Sequence, residues 1–253
     1  MNRSSRAEEP EGPEGIVSGG LHYGGMARTA AGGTGGGRVK GARRPEVRLP
    51  ALEPWSGGEL EPDGDYDGQE FREADFVGQD GAGARFMDCA LTDCAFDETG
   101  LRHARLLDSV LTGARGVGTD LADATLRDVE LVDARLGGTQ LHGAVLERVV
   151  IRGGKIDYLN LRTAKLRDVV FESCVLVEPD FGNASLERVE FTGCTLKAAD
   201  FRGVTMKDVD LRGAASLEIA SGVERLAGAV ISTSQLLDLA PVLAAQLGIR
   251  VEG

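Results

Sequence analysis

The chain has 253 residues, is 42% hydrophobic and 5% aromatic, and carries a formal charge of −12. That size supports one sizeable domain, and an acidic balance disfavours nonspecific contact with nucleic acid or anionic lipid. No apolar run approaches the roughly 18 residues of a membrane span, and no apolar segment of a secretory signal opens the chain, so a cytoplasmic location is the default expectation.

Residues 1–45 differ in composition from the rest. Gly-Gly-Thr-Gly-Gly-Gly at 32–37 lies among Ala, Arg and Pro, and such a stretch buries too little surface to repay its ordering. The reading is a disordered Gly-rich tail, or one seldom made because translation begins at Met26. The segment holds 7 Lys/Arg against 4 Asp/Glu, so a basic arm contacting an acidic partner, including the chain's own body, is the other reading. Its glycines match no phosphate-loop or dinucleotide pattern, for no strand precedes them and no Gly-Lys-Ser/Thr follows.

Residues 46–68 read as an N-terminal cap. Val47, Leu49, Leu52 and the single Trp55 alternate with Pro50 and Pro54, and the first coil of a solenoid has open edges and an apolar core to cover. Glu59, Glu61, Asp63, Asp65 and Asp67 then form the most negative run in the chain.

Residues 69–231 are organised by a period of five. From Phe71 to Leu211 every fifth residue gives 29 positions, of which 27 are large and apolar; Gly81 and Gly116 are the exceptions. The residue two places earlier is small, as at Ala74, Ala84, Cys89 and Cys94. Neither the helical period of about 3.6 nor the strand period of 2 explains this, so an all-β solenoid of stacked short units is expected. A second period of twenty sorts the small positions into columns: Ala84 to Ala184 in one, Val129 to Val209 in another. Four units therefore make one coil, and about seven coils stack at roughly 4.8 Å. Residues 215–224 read as a bulge from a last partial coil.

Here the chain resembles the pentapeptide-repeat family, whose motif is Ala-(Asp/Asn)-Leu-x-x. The match reads Ala74-Asp75-Phe76-Val77-Gly78, Ala199-Asp200-Phe201-Arg202-Gly203 and Val209-Asp210-Leu211-Arg212-Gly213. The resemblance implies a right-handed quadrilateral β-helix. For some members it implies binding to DNA gyrase through an acidic rod shaped like duplex DNA, and for others a C-terminal element that makes a two-fold dimer.

Residues 232–253 read as a C-terminal helical cap and a possible homodimer element. Ser232 or Ser234 can cap the helix, Gly248 can end it, and Pro241 is expected to kink or split it.

No residues form a recognisable active site, so the reading is not an enzyme, with no cofactor and no metal. His103 and His142 lie about 10 Å apart on the coil grid, and no C-x₂₋₄-C pair suits zinc. Cys89, Cys94, Cys174 and Cys194 occupy small inward positions and read as reduced core filler. Function is then expected on the surface. Val110, Val132, Val150 and Val170 form an outward apolar patch, and Asp180 and Asp200 belong to an acidic column; both, with the run from Glu59 to Asp67, are partner-binding candidates. Residues 70–214 carry 25 Asp/Glu and 18 Lys/Arg, a net of −7. Duplex DNA carries roughly 20 charges over the same ~35 Å. The first reading is accordingly a non-catalytic protein-interaction scaffold with an unknown protein partner, the alternative a DNA-mimic modulator or protector of DNA gyrase, and direct nucleic-acid or membrane binding is not expected.

Overall fold

A computed structural model describes residues 39–252. From residue 53 to residue 230 the chain winds as a β-solenoid of about nine turns. Strands pair in parallel with a register of twenty residues: Leu106 beside Leu126, Leu126 beside Leu146, Leu146 beside Leu166, Leu166 beside Leu186. The sequence count of about seven coils covers 71–211 alone. Glu53–Pro54 adds a rung before Gln69–Arg72, and Ala229–Val230 adds one after Val209–Asp210.

Each coil has four sides. The first and second are one 13-stranded sheet, crossed by eight-residue strands such as Arg105–Thr112 and Lys165–Glu172. The third is a 6-stranded sheet running from Arg115–Val117 to Ser216–Ser221. The fourth is joined by single bridges, Asp80 to Gly100 through Asp180 to Asp200.

The period of five follows from the corner. Every fifth residue from Glu73 to Asp208 is left-handed, with φ between 48° and 76°. That turns the chain after each short strand, so the central large residue and the small one before it both face the axis. Asp, Asn and Gly tolerate this conformation best, and they dominate the column. At Gly83, Gly113 and Gly143 the requirement is stricter, because an added Cβ would stand 2.1–2.2 Å from the Asp Oδ1 one coil below.

The rod axis is filled by the central residues. Phe171 stacks on Phe191 at 4.8 Å and Phe181 on Phe201 at 5.2 Å. Trp55 lies 5.2 Å from Phe71 and 5.4 Å from Phe76, over the first coil. Between these aromatic ends, Leu and Ile coils leave a cavity of about 70 Å³. The two exceptions in the large series have local causes. Leu60 is buried against Gly81, where a Cβ would sit 3.3 Å from it, and at Gly116 a Cβ would meet Phe96 carbonyl carbon at 2.9 Å. All four cysteines are buried and free, and Cys174 N–H donates to Cys194 Sγ at 3.5 Å.

Beyond Leu211, Ser216–Ser221 rejoins the third side with one extra residue in register, and a 3₁₀ turn at Val223–Arg225 follows. Helix α1, Thr233–Gln246, then closes the end. Ser232 and Gln235 form a reciprocal capping box, and Gln235 Nε2 also donates to Leu211 O at 2.8 Å. Of the kink or break expected at Pro241, the break into two helices is absent: one helix runs through it. The carbonyl left without its donor is that of Leu237, on a residue 69% exposed, where solvent can take the donor's place.

Candidate interaction surfaces

Residues 39–50 were expected in the tail or cap, and the tail extended to 45. Residues 1–38 lie outside the described residues, but 39–45 are ordered on the body, which corrects that boundary. The segment 39–50 forms no strand. It is a strap along the second side, held by side chains of the solenoid. Lys40 N–H donates to Asp208 Oδ1 at 3.3 Å, Ala42 N–H to Glu190 Oε1 at 2.7 Å and Arg43 N–H to Asp168 Oδ1 at 3.1 Å. Arg43 Nη2 reaches Asp168 Oδ2 at 2.8 Å, and Arg44 Nη1 reaches Glu172 Oε2 at 3.0 Å. From Pro45 onward the strap alternates: Pro45, Val47 and Leu49 turn inward, while Glu46, Arg48 and Pro50 are exposed. That alternation was legible in the sequence as half-buried extended chain.

Asp168 is the centre of this contact. It sits at the left-handed corner between the first and second sides, with no exposed side-chain surface. Arg188, one coil along, binds it in a fork at 2.7 and 2.9 Å, and Arg43 supplies a second cation. Burial alone would push this carboxyl up, but the two arginines and the Arg43 amide hold it well below the usual carboxylate range. Glu172 is also held low, by Arg152 and Arg44.

The four valines are therefore not an open patch. Val170 lies between Asp168 and Glu172, both bonded by the strap, and is 0% exposed; Val150 is 2% exposed. Val110 and Val132 are half-buried. Their outward direction is as read, but the chain's own N-terminal segment occupies the face that a partner was expected to use.

The acidic candidates do not form one surface. Glu59, Glu61, Asp63, Asp65 and Asp67 are exposed at the N-terminal end, and Arg85 pairs with Asp65 at 2.7 Å. Asp180 and Asp200 are half-buried on the fourth side, about six coils or ~29 Å further along the rod. One oxygen of each turns inward to the chain: Gly182 N–H donates to Asp180 at 2.8 Å and Arg202 N–H to Asp200 at 2.9 Å. The other oxygens meet guanidinium groups, Arg162 on Asp180 at 3.1 Å and Arg202 on Asp200 at 2.8 Å. Asp120 repeats the arrangement with Ala122 N–H and Arg102.

Helix α1 presents the opposite picture to the strap. Leu239 and Gln235 face the solenoid, while Leu236, Leu237, Val242 and, just beyond, Leu247, Ile249 and Val251 are 44–76% exposed. Among the described residues no group of three His, Cys, Asp or Glu side chains is placed to hold a metal. No helix among them is long and apolar enough to cross a membrane.

Comparison with known proteins agrees with this geometry. The family model "Pentapeptide repeat region" matches residues 84–161, and "Pentapeptide repeats (8 copies)" matches 171–213. No curated protein matches. Among solved structures, the chain is similar to full-length QnrB1, a plasmid-mediated fluoroquinolone resistance protein. Identity there is 19%, over 74% of this chain and 92% of the other, with a TM-score of 0.31. HetL, a pentapeptide repeat protein involved in heterocyst differentiation regulation from the cyanobacterium Nostoc, gives 19% identity. The match covers 69% of this chain and 92% of HetL at a TM-score of 0.23. Rfr23 from the cyanobacterium Cyanothece gives 16% identity over 58% and 86%, at 0.17.

Proposed function

We propose that this chain, a pentapeptide-repeat protein over residues 84–161 and 171–213, is a non-catalytic rod for binding proteins, and that it meets a second copy of itself through α1. The observation that carries the reading is the cluster of exposed apolar residues on and just after α1, at Leu236, Leu237, Val242, Leu247, Ile249 and Val251. Several large apolar side chains left exposed at one end of a rod mark a contact site, and self-association is its simplest occupant. The solenoid supplies stiffness, since each coil is fixed by parallel pairing on both neighbours.

The alternative, an acidic mimic of duplex DNA acting on DNA gyrase, has less support. The candidate acids Asp180 and Asp200 are engaged by Arg162 and Arg202, so the fourth side presents paired charges rather than a row of free ones.

Sedimentation equilibrium of the purified chain tests the reading. A dimer is expected, and Leu237→Glu is expected to give monomer with an unchanged circular-dichroism spectrum. A monomeric wild type would overturn assembly through α1. A supercoiling assay with purified gyrase tests the alternative.

A further inference from the structure

We propose that the second side of the solenoid is a receptor for an extended basic segment of the form Arg-Arg-Pro. The chain's own residues 39–50 fill it here, and a protein partner carrying such a segment binds by displacing them. The proposal rests on the reading of the rod as a protein-binding surface, but not on what α1 binds.

Three observations carry it. First, the strap adds no strand to a sheet; its amides at Lys40, Ala42 and Arg43 donate to carboxylates of Asp208, Glu190 and Asp168. A segment held by side chains can be exchanged without opening any ladder of the solenoid. Second, the receiving groups are set by the repeats themselves. Arg188 fixes the Asp168 carboxylate at 2.7 Å and is steadied in turn by Glu187, while Arg152 fixes Glu172 at 3.1 Å. Both carboxylates still accept a further guanidinium, from Arg43 and Arg44 respectively. Third, the site reads sequence as well as charge. Asp168 takes the backbone, Nε and Nη2 of one residue, Glu172 takes the next side chain, and Pro45 is buried beside them. A residue before proline is already restricted to extended backbone, so Arg-Arg-Pro arrives in the shape that is bound. The floor between the two carboxylates is Val170, wholly covered, with Val150 one coil away. A short acidic-walled trough with an apolar floor suits an extended segment with adjacent arginines, and it does not suit an anionic ligand.

The test uses the full chain and a fluorescent peptide of residues 39–50, Val-Lys-Gly-Ala-Arg-Arg-Pro-Glu-Val-Arg-Leu-Pro. The strap is first weakened in cis by Arg43→Ala with Arg44→Ala, and folding is verified by circular dichroism. Fluorescence anisotropy is expected to show this variant binding the peptide at least about tenfold more tightly than wild type does. Adding Asp168→Asn, or the milder pair Glu172→Gln with Glu190→Gln, is expected to reverse that gain, and a peptide with both arginines changed to glutamine is expected not to bind. The milder pair decides the matter if Asp168→Asn fails to fold. No binding to the weakened chain, binding indifferent to the acidic variants, or equal binding to wild type would each overturn the proposal. A Leu237→Glu chain with the weakened strap is expected to bind the peptide equally well, so failure here and failure of assembly through α1 are told apart.

Discussion

The strap and α1 are both amphipathic appendages to the same rod, and they dispose of their apolar residues in opposite ways. The strap turns Pro45, Val47 and Leu49 toward the body and helps bury Val150 and Val170. Helix α1 buries Leu239 and Gln235, half-buries Leu243 and Ala244, and leaves Leu237 and Leu247 at 69% and 74% exposed. The difference lies in what each meets. The strap runs along a side whose valines are flanked by carboxylates, so its arginines fix it. The helix meets only the end of one coil, and an end offers too little area for a helix to bury a second apolar face.

The largest expected effect is a charge beneath the strap. Val170→Asp should cost about 3–5 kcal/mol, because the carboxylate would be buried without a partner. Leu237→Asp on the exposed face should stay within about 0.5 kcal/mol when both chains are compared as monomers at high dilution. Thermal denaturation of the two variants checks this, and equal costs would erase the contrast. Next comes removal of the strap. Deleting residues 1–45 is neutral if the segment is a solvated tail, but the docked structure implies a loss of about 2–4 kcal/mol, or roughly 5–10 °C in midpoint. A shift of a degree or less would show that the contact carries little energy.

On the helical side, Ser232→Ala removes one half of the capping box and should cost about 1 kcal/mol. The loss should appear first as faster amide exchange within α1. Acid should act on the strap in a definite direction. The Asp168 carboxyl is depressed in the folded chain, so its contribution is complete above the usual carboxylate range and is lost as pH falls through the folded value. Amide exchange at Ala42 and Arg43, corrected for intrinsic rates, should therefore accelerate on strong acidification and stay flat near neutrality.

The smallest effect lies in the same corner column, beyond the arginines. Asp108 stands between Asp88 and Asp128, and burial together with those neighbours raises its carboxyl. Here the folded chain loses stability as pH rises through the titration. Asp108→Asn should gain a few tenths of a kcal/mol at neutral pH, with the gain vanishing in acid. Chemical denaturation at two pH values checks the sign.

The interior was legible because it is periodic. Phe171 over Phe191 and Cys174 over Cys194 follow directly from a count of twenty. The corner was legible too, though as composition: the fourth residue after each small one is Asp, Asn or Gly so often that a left-handed turn accounts for it. Periodicity says nothing about what lies outside a column. Val150 and Val170 do point outward, but Arg43 reaches Asp168 across 125 residues of sequence, and no local pattern announces that contact. The arginines facing the acids were nearer at hand. Asp200 and Arg202, like Asp210 and Arg212, stand two residues apart and pair across one turn, so the negative columns are partly neutralised within their own repeat. At α1, local signals offered Ser232 or Ser234 as the cap and a kink or a break at Pro241. The cap is Ser232, and the helix runs unbroken past Pro241, where the carbonyl without a donor belongs to the exposed Leu237.

A solenoid whose coils touch only their neighbours comes apart like a spring, one turn at a time from either end. The strap changes that mechanics here. It is tethered at one end to the first rung through Glu53–Pro54, and at the other it is bonded to Asp168, Glu190 and Asp208 on three later coils. Tension applied between the ends of the rod would load those hydrogen bonds together with the coil-to-coil bonds beneath them. Fraying of the coil that carries Asp208 would be felt by a segment anchored near Trp55. Coils far apart along the axis are thereby made to open together, and a structure built from repeats acquires the cooperativity of a closed loop.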